Sequence, residues 1–362
     1  MWPEMCPMKR APLALVCAVS LTSPALSDPG EGPDGADCPL SPTPAQVELV
    51  RQRLALGLYN PPRWRGADVL VPMTIHVVRR SNGTGGISAA EIDNTIAAAN
   101  TAWLGSGIQF CQPGATVFID DDNFYTSTDT FAEIDALRST AVVPDTINIY
   151  FVPNLRSELG SLCGISSFTF STTQGIVVSN NCTPAFGNPS TFPHELGHYF
   201  DLYHTHETAF GVECTDGSNC ADAGDLRCDT PADPNVGGEV PPDTCLWIGS
   251  DPPPCSGAPA YSPPVLNVMS YSAKSCRTDF TADQFAAAMA TLVNLRPGLL
   301  ANACDPCPNI ADINDDGQLD STDFTAWIAA FNAGDTKADQ NGDGSIDPTD
   351  FTAWIANFNT GC

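Results

Sequence analysis

The sequence predicts a mixed α/β domain followed by a small all-α tail. An apolar, β-branched run at Val69–Val78 is typical of a buried strand. Ser88 then begins a capping box with Glu91, and apolar residues follow at helical spacing. Near the C-terminus, Asp323–Ala329 recurs as Asp350–Ala356, which indicates a duplicated helical unit. A strand, a helix and further strands, followed by a repeat, favour two separate domains.

Short apolar runs predict the remaining elements of the larger domain. Strands are expected at Ile108–Phe110, Ile147–Val152 and Gly175–Ser179, and a last helix at Thr281–Leu295. Upstream, a helical stretch from Ala45 to Leu58 is too small to fold alone. Between Cys214 and Pro264 the chain is loop-like and rich in cysteine, so we expect disulfides to hold it together. Their pairing cannot be deduced from the sequence.

The charge balance limits the possible partners. The chain has 42 Asp and Glu against 15 Lys and Arg, and its formal charge is −27 at pH 7. Nucleic acid and anionic lipid surfaces are bound through basic patches, so this balance excludes both as partners.

The N-terminus predicts export. Lys9 and Arg10 precede an apolar run from Ala11 to Leu21, and Ala25–Ser27 offers the small residues that a signal peptidase requires. The run is too short to span a bilayer. We therefore expect a signal peptide at 1–27 and a secreted, extracellular protein without a membrane span. The 15 cysteines fit an oxidising compartment.

An HExxH motif predicts a catalytic zinc site. His194 and His198 lie one helical turn apart on the same face, so both imidazoles can bind one metal ion. Glu195 stands beside them and can take a proton from a water molecule at the metal. His204 follows as the third histidine, and three histidines with one open position form a catalytic arrangement.

A second motif supports this site. Asn267–Tyr271 has the form of a Met-turn, the loop that supports zinc sites of this kind, with Met269 in the structural position. Two other residues could be considered as the third ligand. His206 fits no zinc spacing, and Glu213 lies too close to His198 for a carboxylate ligand. His76, in the first strand, is expected to be a structural histidine.

Three segments together resemble the pappalysin/ulilysin family of metzincins. They are HELGHYFDLYHTH, Gly224–Ala232 and Asn267–Tyr271, and the resemblance covers roughly residues 65–300. It implies endopeptidase activity, a split α/β domain with a mixed sheet and an active-site helix, and a catalytic Tyr271 that stabilises the oxyanion. It also implies a structural calcium at Asp225 and Thr230, although an ordinary Asx/Thr turn would explain this pair equally well.

The chain departs from the family pattern at one position. The family usually has Gly between the second and third histidines, and this chain has Asp201. Gly suits the positive φ of such turns, but Asp is one of the few residues that adopt it at modest cost. We therefore expect a strained turn that still forms.

Cys38 is a candidate for a latency thiol. Thirteen cysteines remain without the signal peptide, and removing 28–62 as well would leave an even number. Cys38 would then occupy the fourth zinc position in a latent form, and Arg63 and Arg65 are plausible points of cleavage. The alternative is a disulfide or an idle thiol.

The tail contains two loops with the spacing of calcium ligands. The predicted ligands are Asp312, Asn314, Asp316, Gln318, Asp320 and Asp323 in the first loop, and Asp339, Asn341, Asp343, Ser345, Asp347 and Asp350 in the second. Gly317 and Gly344 stand at the turn position of each. Asp at the last ligand position and the short spacing resemble dockerin modules, which implies two calcium ions and a cohesin-like docking partner.

The expected boundaries follow from these motifs. They are a signal peptide at 1–27, a pro-segment or linker at 28–62, a zinc metalloprotease catalytic domain at 63–303, a hinge at 304–308 and a dockerin-like, EF-hand-like module at 309–362. In the module, Trp327 and Trp354 are either core or contact residues, and their helical spacing from Phe324 and Phe351 favours the core.

Two functions agree with the sequence. The first is a secreted zinc-dependent metalloendopeptidase that hydrolyses peptide bonds with Glu195 as the general base. The second is a non-catalytic binding or scaffold protein with a zincin fold, attached through its dockerin-like module. The intact set of His194, Glu195, His198, His204 and Tyr271 favours the first.

Overall fold

A computed structural model of the 362-residue chain describes residues 41–61, 68–126, 128–158, 160–300, 309–314, 319 and 321–360. The predicted signal peptide, Cys38, Arg63, Arg65 and the hinge at 304–308 lie outside the described residues. Among the tail ligands, the same holds for Asp316, Gln318 and Asp320, together with Gly317.

The larger domain is built on a mixed sheet. Its strands are β1 (Val69–Arg79), β2 (Ile108–Cys111), β3 (Val117–Asp120), β4 (Ile147–Val152), β5 (Arg156–Ser157), β6 (Gly160–Ser161), β7 (Gly164–Ser166) and β8 (Ile176–Ser179). The main sheet has the order β2-β1-β4-β8-β7, and β3 also pairs with β1. All pairings in it are parallel except that of β7 with β8, which is antiparallel. The predicted mixed α/β fold is confirmed, and β7 forms one edge.

The helices of the larger domain are α1 (Pro44–Ala55), α2 (Ala89–Ala102), α3 (Asp122–Thr126), α4 (Phe131–Arg138), α5 (Thr191–Tyr199) and α6 (Ala282–Leu295). α2, α5 and α6 pack on one face of the sheet, and α3 and α4 on the other. The predicted capping box at Ser88 forms and begins α2, and a second capping box, at Thr281, begins α6. α1 is shorter than the predicted helix, because the chain turns at Gly57, whose φ is +70°.

Alternation along the strands divides the core between the two faces. On β4, Ile149 and Phe151 pack in the cluster that also contains residues of α2, α5 and α6. Tyr150 and Val152 point to the other face, where they pack with residues of α4. His76 is buried, 2.9 Å from Asn148 through its Nε2 and stacked on Tyr150, so its predicted structural role is confirmed.

The cysteine-rich stretch is irregular, as expected. Between residues 200 and 273, all of which are described, there is no helix or strand. Disulfides tie it together at Cys214–Cys255, Cys220–Cys228 and Cys245–Cys276, and a further one joins Cys163 to Cys182. Cys111 is also disulfide-bonded.

The tail forms a small helical unit. Its helices are α7 (Ser321–Ala333) and α8 (Pro348–Thr360). Trp327 and Trp354 are each 6% exposed and lie in one apolar cluster, so the prediction that they are core residues is confirmed. Each indole N–H donates to a backbone carbonyl, that of Ala338 and that of Ala311. Within the described residues, no helix has both the length and the apolar character required to cross a membrane.

Candidate active site

The helix α5 carries His194, Glu195 and His198. All nine of its residues are buried, so the helix runs through the interior instead of along the surface. Its first N–H, of Thr191, donates to the side chain of Asn188 at 3.2 Å. Because the helix is packed on all sides, the histidine and glutamate side chains can adopt few other orientations.

The helix ends in a turn that brings the third histidine back to the other two. Leu202 N–H donates to Gly197 C=O and Asp201 N–H to His198 C=O, both at 2.9 Å, which is the pattern of a Schellman motif. Asp201 occupies the left-handed position of this motif, with φ 59°. The expectation of a strained but formed turn is confirmed.

The three predicted imidazoles converge. Nε2 of His204 lies 3.0 Å from Nε2 of His198 and 3.3 Å from Nε2 of His194. The possible ligand atoms of the three histidines all lie within 4.8 Å of one another. In the part of the chain that the structure describes, no other group of three or more His, Cys, Asp or Glu side chains meets this condition for holding a metal ion. Burial, and then the neighbouring histidines, lower the pKa of His204 well below its usual range, so its ring is neutral.

The hydrogen bonds of the rings test whether a metal fits. His194 Nδ1 lies 2.7 Å from Val268 C=O, and His198 Nδ1 lies 2.8 Å from Leu202 C=O. A carbonyl only accepts, so in the neutral rings Nδ1 carries the hydrogen and Nε2 presents its lone pair. Both lone pairs point toward Nε2 of His204, at 3.3 Å from His194 and 3.0 Å from His198. The donor set therefore fits zinc, which binds neutral imidazole nitrogen.

The predicted Met-turn lies beneath the helix. Met269 is fully buried, and a Cβ added at Gly197 would overlap its Sδ. Asn267 and Gln284 exchange two side-chain hydrogen bonds, at 2.8 and 3.1 Å, which fix the turn to α6. Because the same turn supplies the carbonyl that faces His194, it sets the orientation of a predicted ligand.

Glu195 packs against the edge strand β7. It is fully buried, and a Cβ added at Gly164 would lie 2.6 Å from its Oε1. Only a glycine leaves room for this carboxylate beside the strand.

Tyr271 lines the cleft in front of the histidines. The cleft measures about 650 Å³, and its walls include His204, His206 and Tyr271. The Tyr271 ring centroid lies 4.6 Å from that of His204 and 4.4 Å from that of His206. Burial, and then Arg277, lower the pKa of His206 to about 4, so this ring adds no positive charge to the cleft at neutral pH.

Asp233 connects the two sides of the cleft and was not predicted from the sequence. Its carboxylate accepts from Thr205 Oγ1 at 2.6 Å and from Ser270 Oγ at 3.4 Å. Thr205 follows His204, and Ser270 precedes Tyr271. No local pattern marks Asp233, because it lies far from both partners in the sequence.

Asp225 and Thr230 form a buried polar pair near another carboxylate. Thr230 Oγ1 donates to both oxygens of Asp225, at 2.8 and 3.0 Å. Burial raises the pKa of Asp225 to about 8 and that of Glu213 to about 7. Glu213 packs on Gly224, and within the described residues its Oε2 has no hydrogen-bond partner. Two buried acids side by side fit a cation, but the hydrogen bonds alone also form a turn.

The second tail loop is described in full. Gly342 and Gly344 donate their N–H groups to Asp339, while Gln340 and Asn341 donate theirs to Asp350. These carboxylates do not gather as closely as the three histidines. In the first loop, Asp312, Asn314 and Asp323 are described. The calcium ligands in both loops stay predictions.

Comparisons with known proteins agree with this site. The family model described as pregnancy-associated plasma protein-A, peptidase family M43, matches residues 172–293. An extracellular metalloprotease of Colletotrichum graminicola is 31% identical over 290 residues, which are 75% of this chain and 92% of that protein. The chain belongs to the pappalysin (M43) family of metalloproteases. The predicted family and the predicted metalloendopeptidase are confirmed.

Other matches cover both parts of the metalloprotease. An extracellular metalloprotease of Arthroderma gypseum is 30% identical over 229 residues, which are 60% of this chain and 70% of that protein. A dockerin type I domain matches residues 310–359, in agreement with the predicted dockerin-like tail. Among solved structures, a promirolysin mutant of Tannerella forsythia has a TM-score of 0.49 and 19% identity, over 73% of this chain and 96% of that chain.

Proposed function

We propose that this metalloprotease is a secreted zinc endopeptidase in which His194, His198 and His204 hold the metal and Glu195 is the general base. The observation that supports it most strongly is the orientation of the imidazoles. Two of them turn their Nδ1 atoms toward backbone carbonyls, and their Nε2 atoms face the third ring. Two neutral imidazoles that present Nε2 lone pairs toward a third histidine are suited to binding a divalent cation.

The residues around this centre would each have a separate role in peptide hydrolysis. Zinc held by the three histidines would polarise the substrate carbonyl and make a water molecule acidic enough to react near neutral pH. Glu195 would take the proton of the attacking water and deliver it to the nitrogen of the leaving amine. Tyr271, at the wall of the cleft, would donate a hydrogen bond to the carbonyl oxygen as it gains negative charge.

The other proposed sites involve calcium and a docking partner. Asp225 and Thr230 would bind a structural calcium, and Glu213, whose charge acts on Asp225, would contribute a further oxygen. The tail would bind two further calcium ions and dock on a cohesin-like protein. Within the boundaries predicted above, residues 1–27 would direct secretion and Cys38 would face the metal in the latent form.

The test is casein hydrolysis by the secreted full-length protein, before and after limited trypsin treatment. We expect hydrolysis that 1,10-phenanthroline abolishes and zinc restores. Glu195→Gln should lower kcat/KM by about 100-fold or more while the zinc content per chain is unchanged. Glu158→Gln, at an exposed glutamate, is the matched control. Proteolysis that survives both the chelator and Glu195→Gln would refute the proposal.

A further inference from the structure

Residues 41–61, which belong to the predicted linker or pro-segment, pack on the protease domain through a few buried side chains. Val50 of α1 is fully buried, and Tyr59, in the turns after it, is 5% exposed. Both lie in one apolar cluster with Phe168, Tyr203 and Phe210. This surface is close to the metal centre, since the Phe168 ring lies 5.2 Å from the ring of His198.

Asp201 is the polar centre of this contact. Its carboxylate accepts hydrogen bonds from Tyr59 Oη at 2.9 Å and from Thr169 N–H at 2.8 Å and Oγ1 at 2.5 Å. Arg53 Nη1 lies 3.5 Å from the same carboxylate and donates to Thr169 Oγ1. The side chain of Asp201 is fully buried, so its negative charge depends on partners within the protein. Two of these partners, the guanidinium of Arg53 and the hydroxyl of Tyr59, come from the N-terminal segment.

The turn itself does not require this carboxylate. A glycine would adopt φ 59° without strain and would leave the two Schellman hydrogen bonds intact. Asp201 therefore adds to the turn a charged acceptor that Arg53 and Tyr59 satisfy. Charge-assisted hydrogen bonds that are shielded from water are both stronger and more selective in geometry than neutral ones.

Further polar contacts fix the position of the segment. Arg51 donates to Phe210 C=O at 3.1 Å, and Asn294 donates to Leu58 C=O at 2.9 Å. At its start, Ser41 lines the same cleft as His204 and Tyr271. The segment thus extends from the Asp201 site to the substrate cleft.

We propose that the surface around Asp201 is a docking site for the chain's own residues 41–61, and that this segment stays bound after the chain is cut between residues 61 and 68. Cutting the chain does not remove the buried contacts of Val50, Arg53 and Tyr59. The consequence, which rests on the proposed function, is that a cut alone leaves Ser41 at the cleft. Access of substrate to the cleft is then controlled by dissociation of the segment.

The test follows the fragment directly. In the full-length protein, Cys38 is replaced by Ser so that no disulfide can tether the fragment, residues 62–67 are replaced by the recognition sequence of a site-specific protease, and the N-terminus carries a fluorophore. After cutting, the parent fragment should co-elute with the protease domain on size exclusion. Its release is then timed in an excess of an unlabelled synthetic peptide of residues 41–61. Asp201→Gly should accelerate release about tenfold or more, because it removes the charged acceptor.

Two further variants keep the result unambiguous. Asp145→Gly is the matched control, since Asp145 is exposed and also has a positive φ of 60°. It should leave the release rate unchanged. Tyr59→Phe removes one hydroxyl from the segment and cannot disturb the turn at Asp201, and it should accelerate release severalfold.

Two results would overturn the proposal. One is a parent fragment that separates during chromatography, and the other is release that is equally slow in the parent, Asp201→Gly and Tyr59→Phe. Because retention is read without proteolysis, a retained fragment supports docking even if the casein assay refutes the zinc mechanism.

Discussion

At the scale of single residues, backbone groups hold the side chains of the candidate active site in place. Val268 and Leu202 fix two imidazoles through their carbonyls, and β7 confines the carboxylate of Glu195 at Gly164. A site held in this way is sensitive to one added methyl group, because reacting groups must be positioned to within a fraction of an ångström.

Gly164→Ala tests this confinement. Its Cβ would lie 2.6 Å from Glu195 Oε1, so the carboxylate must move. We expect kcat/KM for casein to fall by about 100-fold while zinc content is retained. Gly114→Ala is the matched control, because a Cβ there meets nothing within 4 Å. Equal activity in the two variants would show that the glycine does not confine Glu195.

Asp225→Asn separates a calcium site from an ordinary turn. Asparagine can still accept from Thr230 and Arg227, so in calcium-free buffer the variant should melt no earlier than the parent. Added calcium should raise the melting temperature of the parent protease domain but not that of the variant, and the variant should bind one calcium fewer per chain. Asp222→Asn, at an exposed position, should behave like the parent. If the melting temperature of Asp225→Asn responded to calcium as that of the parent does, Asp225 and Thr230 would form an ordinary turn and not a calcium site.

The sequence predicts those site residues whose partners are close along the chain. His194, His198 and His204 lie on one helix and its C-terminal turn, so spacing alone brings them together. Asp233 was missed, and Glu213 was considered only as a zinc ligand, because irregular loops, which have no periodicity, bring them to their partners. Only the folded chain shows such contacts.

At the scale of elements, helix starts are encoded more clearly than helix ends. Side chains three residues apart mark the starts of α2 and α6. The end of α1 depends on one glycine, and the predicted helix ran past it. β5, β6 and β7 were not predicted, since a strand of two or three residues is too short for an alternating pattern.

At this scale, we predict that calcium stabilises the two tail helices. Asp339, Asp343 and Asp347 crowd one exposed loop, and Asp350 is buried beside them at the start of α8. Without a cation their negative charges repel each other. Chelating calcium should therefore accelerate hydrogen exchange in peptides that cover α7 and α8. A peptide that covers α4 serves as the control and should not change. Equal exchange with and without calcium would contradict the predicted loops.

At the scale of the whole molecule, the apolar clusters separate the two parts of the chain. The clusters around the sheet, the Met-turn and α1 draw on residues up to 300. The tail cluster draws on residues from 311 to 358. The three histidines, Glu195 and Tyr271 all belong to the first part. Changes at distant sites that share no interaction partners have independent, additive effects on free energy.

A chain that ends after Pro308 should therefore keep the activity of the protease. It retains Cys304 and Cys307, so any disulfide that these form with Cys111 is preserved. We expect kcat/KM for casein to stay within about twofold of the full chain. Trp354→Ala in the full chain removes a buried indole from the tail core and should give the same activity, although the tail melts earlier. A large loss in the shortened chain alone would mean that the linker supports the catalytic domain. A large loss in both would mean that the folded tail contributes to catalysis.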